Sequence, residues 1–341
     1  MPSRPTTPPT HPLLEAADTL KANHEWHIFT HRKADGDAVG SASALFQMGI
    51  NSGHNVSWCS PDVIMPESYT FLPHYNEHIS TENYAFDDSN ILYVFLDCAN
   101  ETRSVDGFDI SRNINALNID HHEDNSMYGR VNCVDGAASS TCVVLYQIFT
   151  SGGWNITADI ARSLYTGIFT DTGGFNFSNT SALTHRILAE LIEYGAEPDK
   201  LSDLITQNKT PAGLMVWSKA LSRVNTFGND GMFALSYLYA DDFTLSGANM
   251  TETEGLPGML MGLRGVKLIA MLTENFSGDI RCSFRSRDGS PFGAGIIARL
   301  LGGGGHERAA GATMTGNLQD CTEQVKELIL QKYHECSCSG Q

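Results

Sequence analysis

The chain of 341 residues carries 22 Lys plus Arg against 39 Asp plus Glu, a formal charge of −17, with 41% hydrophobic and 18% charged residues. That length predicts two domains, or one large α/β unit with an appendage, and excludes a small single-layer fold, while the hydrophobic and charged fractions exclude global disorder. The charge argues against loose electrostatic binding to long nucleic acid or to anionic membrane, so any polyanionic ligand must be met locally.

Residues 1–12, rich in Pro and Thr with no apolar run, read as a flexible lead-in and not as a signal peptide. A helix is expected over 13–23, a strand over 27–30 and a helix over 41–48. Two buried strands follow at 91–96 and 114–119, then helices over 139–149, 158–168 and 181–194. Short apolar runs alternating with amphipathic stretches are the rhythm of βαβ units around a parallel sheet, which makes 13–196 the first domain. Residues 197–225 read as a helical linker. Beyond it the pattern becomes strand-like at 232–238, 266–272 and 280–284, with a helix over 291–301 running into Gly302, Gly303, Gly304 and Gly305. The expectation there is a second, smaller mixed α/β domain over 226–341. Between Arg264 and Arg308 seven basic residues outnumber four acidic ones, so this segment is a basic island in an acidic chain. No internal repeat is evident, and no apolar run approaches the roughly 18 residues of a membrane span. Eight cysteines scattered through apolar stretches suit reduced thiols and a cytoplasmic location. Cys336-Ser-Cys338 reads as a frayed terminus, since two thiols make a poor zinc site.

Chemistry concentrates where apolar runs end. The loop His31-Arg-Lys-Ala-Asp35-Gly36-Asp37 places a histidine and two aspartates before a helix. These residues suit a divalent cation, with Gly36 allowing a tight turn between the carboxylates, although an ordinary capping turn uses the same residue types. Asp97 closes the run Ile-Leu-Tyr-Val-Phe-Leu. Asp120-His121-His122 closes the next strand, its adjacent histidines pointing to different sides, and Asp171 follows a further apolar segment ahead of two glycines. In an open parallel sheet such positions converge at the carboxyl ends of the strands. Gathering His31, Asp35, Asp37, Asp97, His121 and Asp171 in one crevice would be costly without cations. Two divalent ions would offset the four carboxylates, and oxygen-and-imidazole ligation favours Mn2+, with iron, cobalt or magnesium as alternatives.

At these residues the sequence resembles the DHH phosphoesterase superfamily. The four N-terminal motifs occur in order as His31-x-x-x-Asp35-Gly-Asp37, Asp97-Cys-Ala, Asp120-His121-His122 and Thr170-Asp171-Thr-Gly, and Gly303-Gly-Gly-His306-Glu-Arg-Ala-Ala-Gly311 matches the glycine-rich motif of the DHH-associated domain. The resemblance implies a manganese-dependent phosphodiesterase or phosphatase with its active site in an interdomain cleft. By analogy, His31, Asp35 and Asp97 would ligate one metal and Asp37, Asp97, His121 and Asp171 the other, with Asp97 bridging and His122 assisting proton transfer or contacting the scissile phosphate.

Glycines before His306 let a backbone approach a ligand and offer N–H groups to phosphate, and Arg285 with Ser286 lies at a predicted strand end in the basic island. The resemblance assigns Arg285, Ser286, Gly304, Gly305 and His306 to the substrate, whereas Arg281 and Arg308 read as ordinary surface charges. The compact two-domain arrangement is similar to the oligoribonuclease and pAp phosphatase branch. Expected partners are therefore short RNA or dinucleotide substrates, with no long duplex nucleic acid and no membrane, and a homodimer is left open. The alternatives are a cyclic di-AMP phosphodiesterase and, from another class, a non-catalytic nucleotide-binding regulator.

Overall fold

The computed structural model describes residues 10–338 apart from 63–64, 83, 85, 87–90, 106–113, 208 and 306. It divides into two compact units, residues 1–208 and 209–341.

The first unit opens with α1 (Thr10–Ala22). Residues 1–9 of the expected lead-in lie outside the described residues, and 10–12 are helical. There follow β1 (Glu25–Phe29), α2 (Gly36–Asn51), β2 (Asn55–Ser60), β3 (Ile79–Ser80), β4 (Ile91–Leu96), β5 (Ala116–Asp120) and β6 (Val131–Val134). Then come α3 (Thr141–Ser151), α4 (Ala158–Asp171), α5 (Ala182–Glu193) and α6 (Pro198–Thr206). The six strands form a sheet in the order β3-β2-β1-β4-β5-β6, with every neighbouring pair parallel. A parallel sheet is buried on both faces, which is why β4 is an uninterrupted apolar run. Trp26, Ile28, Val94 and Ile119 enter a large core with α1 to α6, and Phe29, Tyr93 and Phe95 pack in a smaller aromatic core on the other face. The chain turns from one half of the sheet to the other between β1 and β4, the switch point at which open α/β sheets form their crevice.

Two differences from the sequence reading bear on function. Helix α2 begins at Gly36 and not near Ser41, so Asp37 lies in its first turn. Gly36 serves close packing: a Cβ there would lie 2.3 Å from Thr170 Oγ1. A Cβ on Gly40 would lie 2.7 Å from the Ser163 carbonyl and one on Gly167 3.2 Å from Asp37 Cα, so α2 and α4 approach at backbone distance.

The second unit contains α7 (Pro211–Ser222), β7 (Asn225–Phe227), β8 (Phe233–Leu238), α8 (Ala240–Ser246), α9 (Leu256–Leu260), β9 (Leu268–Glu274) and β10 (Asp279–Ser286). It ends with α10 (Ala294–Leu300), β11 (Gly304–Gly305), β12 (Ala309–Thr315) and α11 (Leu318–Cys338). Its sheet, β11-β12-β10-β9-β8-β7, is mixed, β8 and β9 being the parallel pair. Helices α10 and α11 cover one face, with Ile297, Val325 and Ile329 against Phe233 and Phe284; residues of α7, α8 and α9 pack on Ile269 and Met271 of the other. The segment read as a linker is thus divided: Leu201 of α6 joins the first core and Val216 of α7 the second unit's. The cysteine tail expected to fray continues α11 to Cys338. Among the described residues no helix is long and apolar enough to cross a membrane.

Candidate metal centre

The crevice at the switch point collects the predicted residues. His31 follows β1 and Asp97 follows β4, the two strands flanking the reversal; His121 and His122 follow β5. Asp35 is the N-cap of α2, its carboxylate accepting the N–H groups of Asp37 (3.1 Å) and Ala38 (3.1 Å), so capping and proximity to the cluster coexist in one side chain. Asp171 was expected in a loop but is the last residue of α4, where the helix dipole opposes a negative charge.

Among the described residues three overlapping groups could hold an ion, one of them Asp97 with Asp120, His121 and His122; the two that correspond to the sequence reading both face Asp97. His31 Nε2 lies 3.5 Å from Asp97 Oδ2 and 3.9 Å from Asp35 Oδ1. His121 Nε2 lies 3.5 Å from Asp97 Oδ1, 3.9 Å from Asp37 Oδ2 and 3.7 Å from Asp171 Oδ2. These separations, 3.5 Å or more, are long for hydrogen bonds, and a cation reaching about 2.1 Å to either side would span each of them. The donor set is carboxylate and imidazole, suited to a hard or borderline divalent ion. His31 Nδ1 faces the Arg32 carbonyl at 2.8 Å, which leaves Nε2 for the cluster.

The electrostatics also call for cations. Asp37 and Asp97 are buried. Burial and then the Asp97 charge push Asp37 well above the carboxylate range, against the pull of His121. Burial alone would raise Asp97 too, but His121 and His31 hold it well below that range. Burial lifts Asp171 to about 7, partly relieved by His121 and reinforced by Asp35 and Asp97. Burial opposes protonation of His31 and His121, yet the surrounding carboxylates outweigh it, raising His31 to about 11 and His121 well above its ordinary value. Protons here do the work that divalent ions would do better.

The supports around the cluster escaped the sequence reading. Asp37 accepts the main-chain N–H groups of Thr141 (2.6 Å) and Cys142 (3.1 Å), the first turn of α3, and Thr141 Oγ1 donates to Asp97 Oδ1 at 3.1 Å. Asp97 itself has φ +56°, a left-handed conformation rare outside glycine. The next carbonyl, of Cys98, accepts from Asn118, Asn125 and Tyr128. Asp120 is wholly buried and accepts His121 N–H and His122 Nδ1, both at 2.7 Å, and Asn125 Nδ2 at 2.5 Å. It therefore orients the second histidine of its own motif. Asn179 Nδ2 ties the Asp171 carbonyl to that of Ser139. The signals were present, as a polar residue after an apolar strand or an Asn in a glycine loop, but their partners are remote in sequence.

In the second unit, Arg285 is half-buried on β10 and donates Nη1 to the Phe284 carbonyl at 3.0 Å. The Ser286 hydroxyl is engaged by main chain, donating to Glu307 O and accepting Ala294 N–H, each at 3.0 Å. Gly304 and Gly305 form β11, an edge strand, Gly304 with open space where a Cβ would stand and Gly305 at φ +130°. His306 lies outside the described residues. Arg308 pairs with Asp288 at 2.5 Å.

Comparison with known proteins agrees with this architecture. Residues 26–168 match the model of the DHH family N-terminal domain, and residues 234–335 that of the DHHA1 domain. The bifunctional oligoribonuclease and PAP phosphatase NrnA of Thermus thermophilus is 32% identical over 93% of this chain and 93% of its own length. The protein of the same name from Bacillus subtilis is 29% identical over 84% of this chain and 88% of its own. In fold, the chain is similar to an exopolyphosphatase-related protein from Bacteroides fragilis, with TM-score 0.87 at 22% identity, covering 95% of this chain and 97% of that one. The chain belongs to the DHH family, as a DHH domain followed by a DHHA1 domain.

Proposed function

We propose that the chain is a phosphoesterase that hydrolyses short oligoribonucleotides and linear dinucleotides, and pAp as well, using two divalent ions, Mn2+ foremost. The observation that carries this reading is the placement of Asp97 with one oxygen toward His31 and the other toward His121. A single carboxylate so placed is suited to bridging two cations. The resemblance to the NrnA proteins over nearly the whole chain supports the substrate class. His31, Asp35 and Asp97 would hold one ion and Asp37, Asp97, His121 and Asp171 the other. Ions bound there polarise phosphate oxygens and activate water for in-line displacement.

The remaining steps fall to the chain's own groups. Burial opposes charge on His122, but Asp120 and Asp97 raise its pKa and favour the imidazolium. With Nδ1 committed to Asp120, proton exchange with the substrate falls to Nε2. As water oxygen bonds to phosphorus and the ester P–O bond breaks, the water gives up a proton to solvent and His122 gives its own to the departing oxygen. Arg285, Gly304, Gly305 and His306 would bind the substrate's other phosphate, with Ser286 helping to fix that strand end against β12 and α10. The test is purified chain with Mn2+, offered a dinucleotide, a five-nucleotide RNA, pAp, cyclic di-AMP and single-stranded DNA. Hydrolysis of the first three, abolished by chelation, is expected. Full activity after exhaustive chelation, or a preference for the DNA, overturns the proposal.

A further inference from the structure

Along β10 the side chains alternate. Ile280, Cys282 and Phe284 enter the core shared with α10 and α11, and Arg281, Ser283 and Arg285 occupy the opposite face. The register places Thr273 and Thr313 beside Arg281, Met271 and Gly311 beside Ser283, and Ile269 and Ala309 beside Arg285. None of these cross-strand neighbours is acidic; Asp279, one outward step from Arg281 along β10, accepts the Ser277 hydroxyl at 2.8 Å and forms no described ion pair with Arg281. The ion pairs described in this unit are Arg223–Asp242, Arg308–Asp288, Lys326–Glu323 and Lys332–Glu335, and neither Arg281 nor Arg285 takes part in one. Burial lowers the pKa of Arg285, and the Arg281 charge lowers it further, so two guanidinium groups repel one another across a floor of Ser283 and Gly311. Two outward steps along a strand separate their backbones by about 13 Å, a gap that long side chains narrow. Like charges held near one another and outside any described ion pair favour an anion between or upon them.

We propose that Arg281, flanked by the hydroxyls of Thr273 and Thr313, is a second phosphate-binding position beside Arg285, taking the additional phosphate of a nucleotide chain longer than a dinucleotide. Arg281 then ceases to be an ordinary surface charge and becomes a determinant of substrate length; this rests on the phosphoesterase reading above. Arg281→Gln should weaken a trinucleotide about tenfold and a dinucleotide little, since a charge-assisted contact is lost from one ligand only.

The test measures equilibrium binding of a dinucleotide and a trinucleotide to the full chain in chelator, so that nothing is hydrolysed, with Arg281→Lys and Arg299→Ala as companions. The wild type should prefer the trinucleotide, the Gln variant should lose that preference, Lys should restore part of it, and the exposed Arg299 should not affect it. The slope of log affinity against log salt for the trinucleotide should flatten by about 0.7 in Arg281→Gln. Equal affinity of the wild type for both ligands, no binding, or equal weakening of both by Arg281→Gln overturns the assignment. Hydrolysis is assayed separately with Mn2+: its absence alongside the expected binding pattern refutes the proposed activity and leaves the subsite standing.

Discussion

The two units handle charge in opposite ways. In the first, four carboxylates and three histidines are drawn into one crevice and cross-braced by main-chain N–H groups of α3, by Thr141 and by the Asp120–Asn125 pair. In the second, Arg281 and Arg285 stand on one strand face with no acidic cross-strand neighbour and outside the described ion pairs. A braced cluster fixes atoms that must hold a geometry, whereas unpartnered cations on a sheet leave room for a ligand that varies in length. On the proposed function, the work would divide between a rigid centre and a permissive surface.

The sharpest way to break that contrast is Asp97→Ala. Removing a carboxylate shared by both ligand groups should cost more than the roughly 10–100-fold typical of losing an outer partner of a metal ligand. Turnover with Mn2+ and far-ultraviolet circular dichroism check that activity falls and the fold persists; near-normal turnover refutes the bridge. Asp120→Asn should cost about 10–100-fold, because His122 loses the charge that orients and protonates it. Comparing kcat with KM locates the loss, which belongs in kcat if His122 moves the proton. A third effect follows from protonation. In the metal-free chain His31 titrates near 11 and His121 well above its ordinary value, so both carry protons at pH 7 that a metal must displace. Metal affinity should therefore rise with pH through neutrality, by about tenfold per unit for each proton displaced. Calorimetry in buffers of different ionisation enthalpy counts those protons, and a count of zero contradicts the cluster. Gly40→Ala sets a Cβ 2.7 Å from the Ser163 carbonyl and should destabilise the first unit by about 1–3 kcal/mol in thermal unfolding. Smallest, Arg308→Ala should change stability by no more than about 0.5 kcal/mol, since its partner Asp288 is exposed.

Much of this was legible in sequence because strong signals were local. An uninterrupted apolar run marked β4 and a shorter, asparagine-interrupted one marked β5, and the polar residues after them marked the crevice. Less visible were elements whose stability comes from partners. Strand β12, Ala-Ala-Gly-Ala-Thr-Met-Thr, has too little apolar surface to stand out and exists through pairing with β10 along its whole length. Helix α11 was missed because charged residues surround its apolar positions, although Leu318, Cys321, Val325 and Ile329 recur at helical spacing on one face. Strand β6 is four residues long and took its place only beside β5. At the site, residue identities were readable, but Asp35 as a helix cap, Asp37 within a helix and Asp97 in a left-handed turn required backbone geometry. Arg281 was overlooked because its importance lies in what does not face it, a property of register across three strands.

The glycine contacts of α2 with α4 have a consequence for how such a centre can change. Asp37 rides on one helix and Asp171 on the other, and the helices close on one another at Gly36, Gly40 and Gly167, where a Cβ would collide with Thr170, the Ser163 carbonyl or Asp37, and through the short Ser43 and Ser163 hydroxyls, 2.9 Å apart. Their spacing is a hard stop and not a spring. A lineage seeking a slightly larger or smaller ion could not adjust it by trading one aliphatic residue for another; any added atom displaces a whole helix. Adaptation to different metals would then have to come from the flanking residues that orient the ligands, with the separation inherited unchanged.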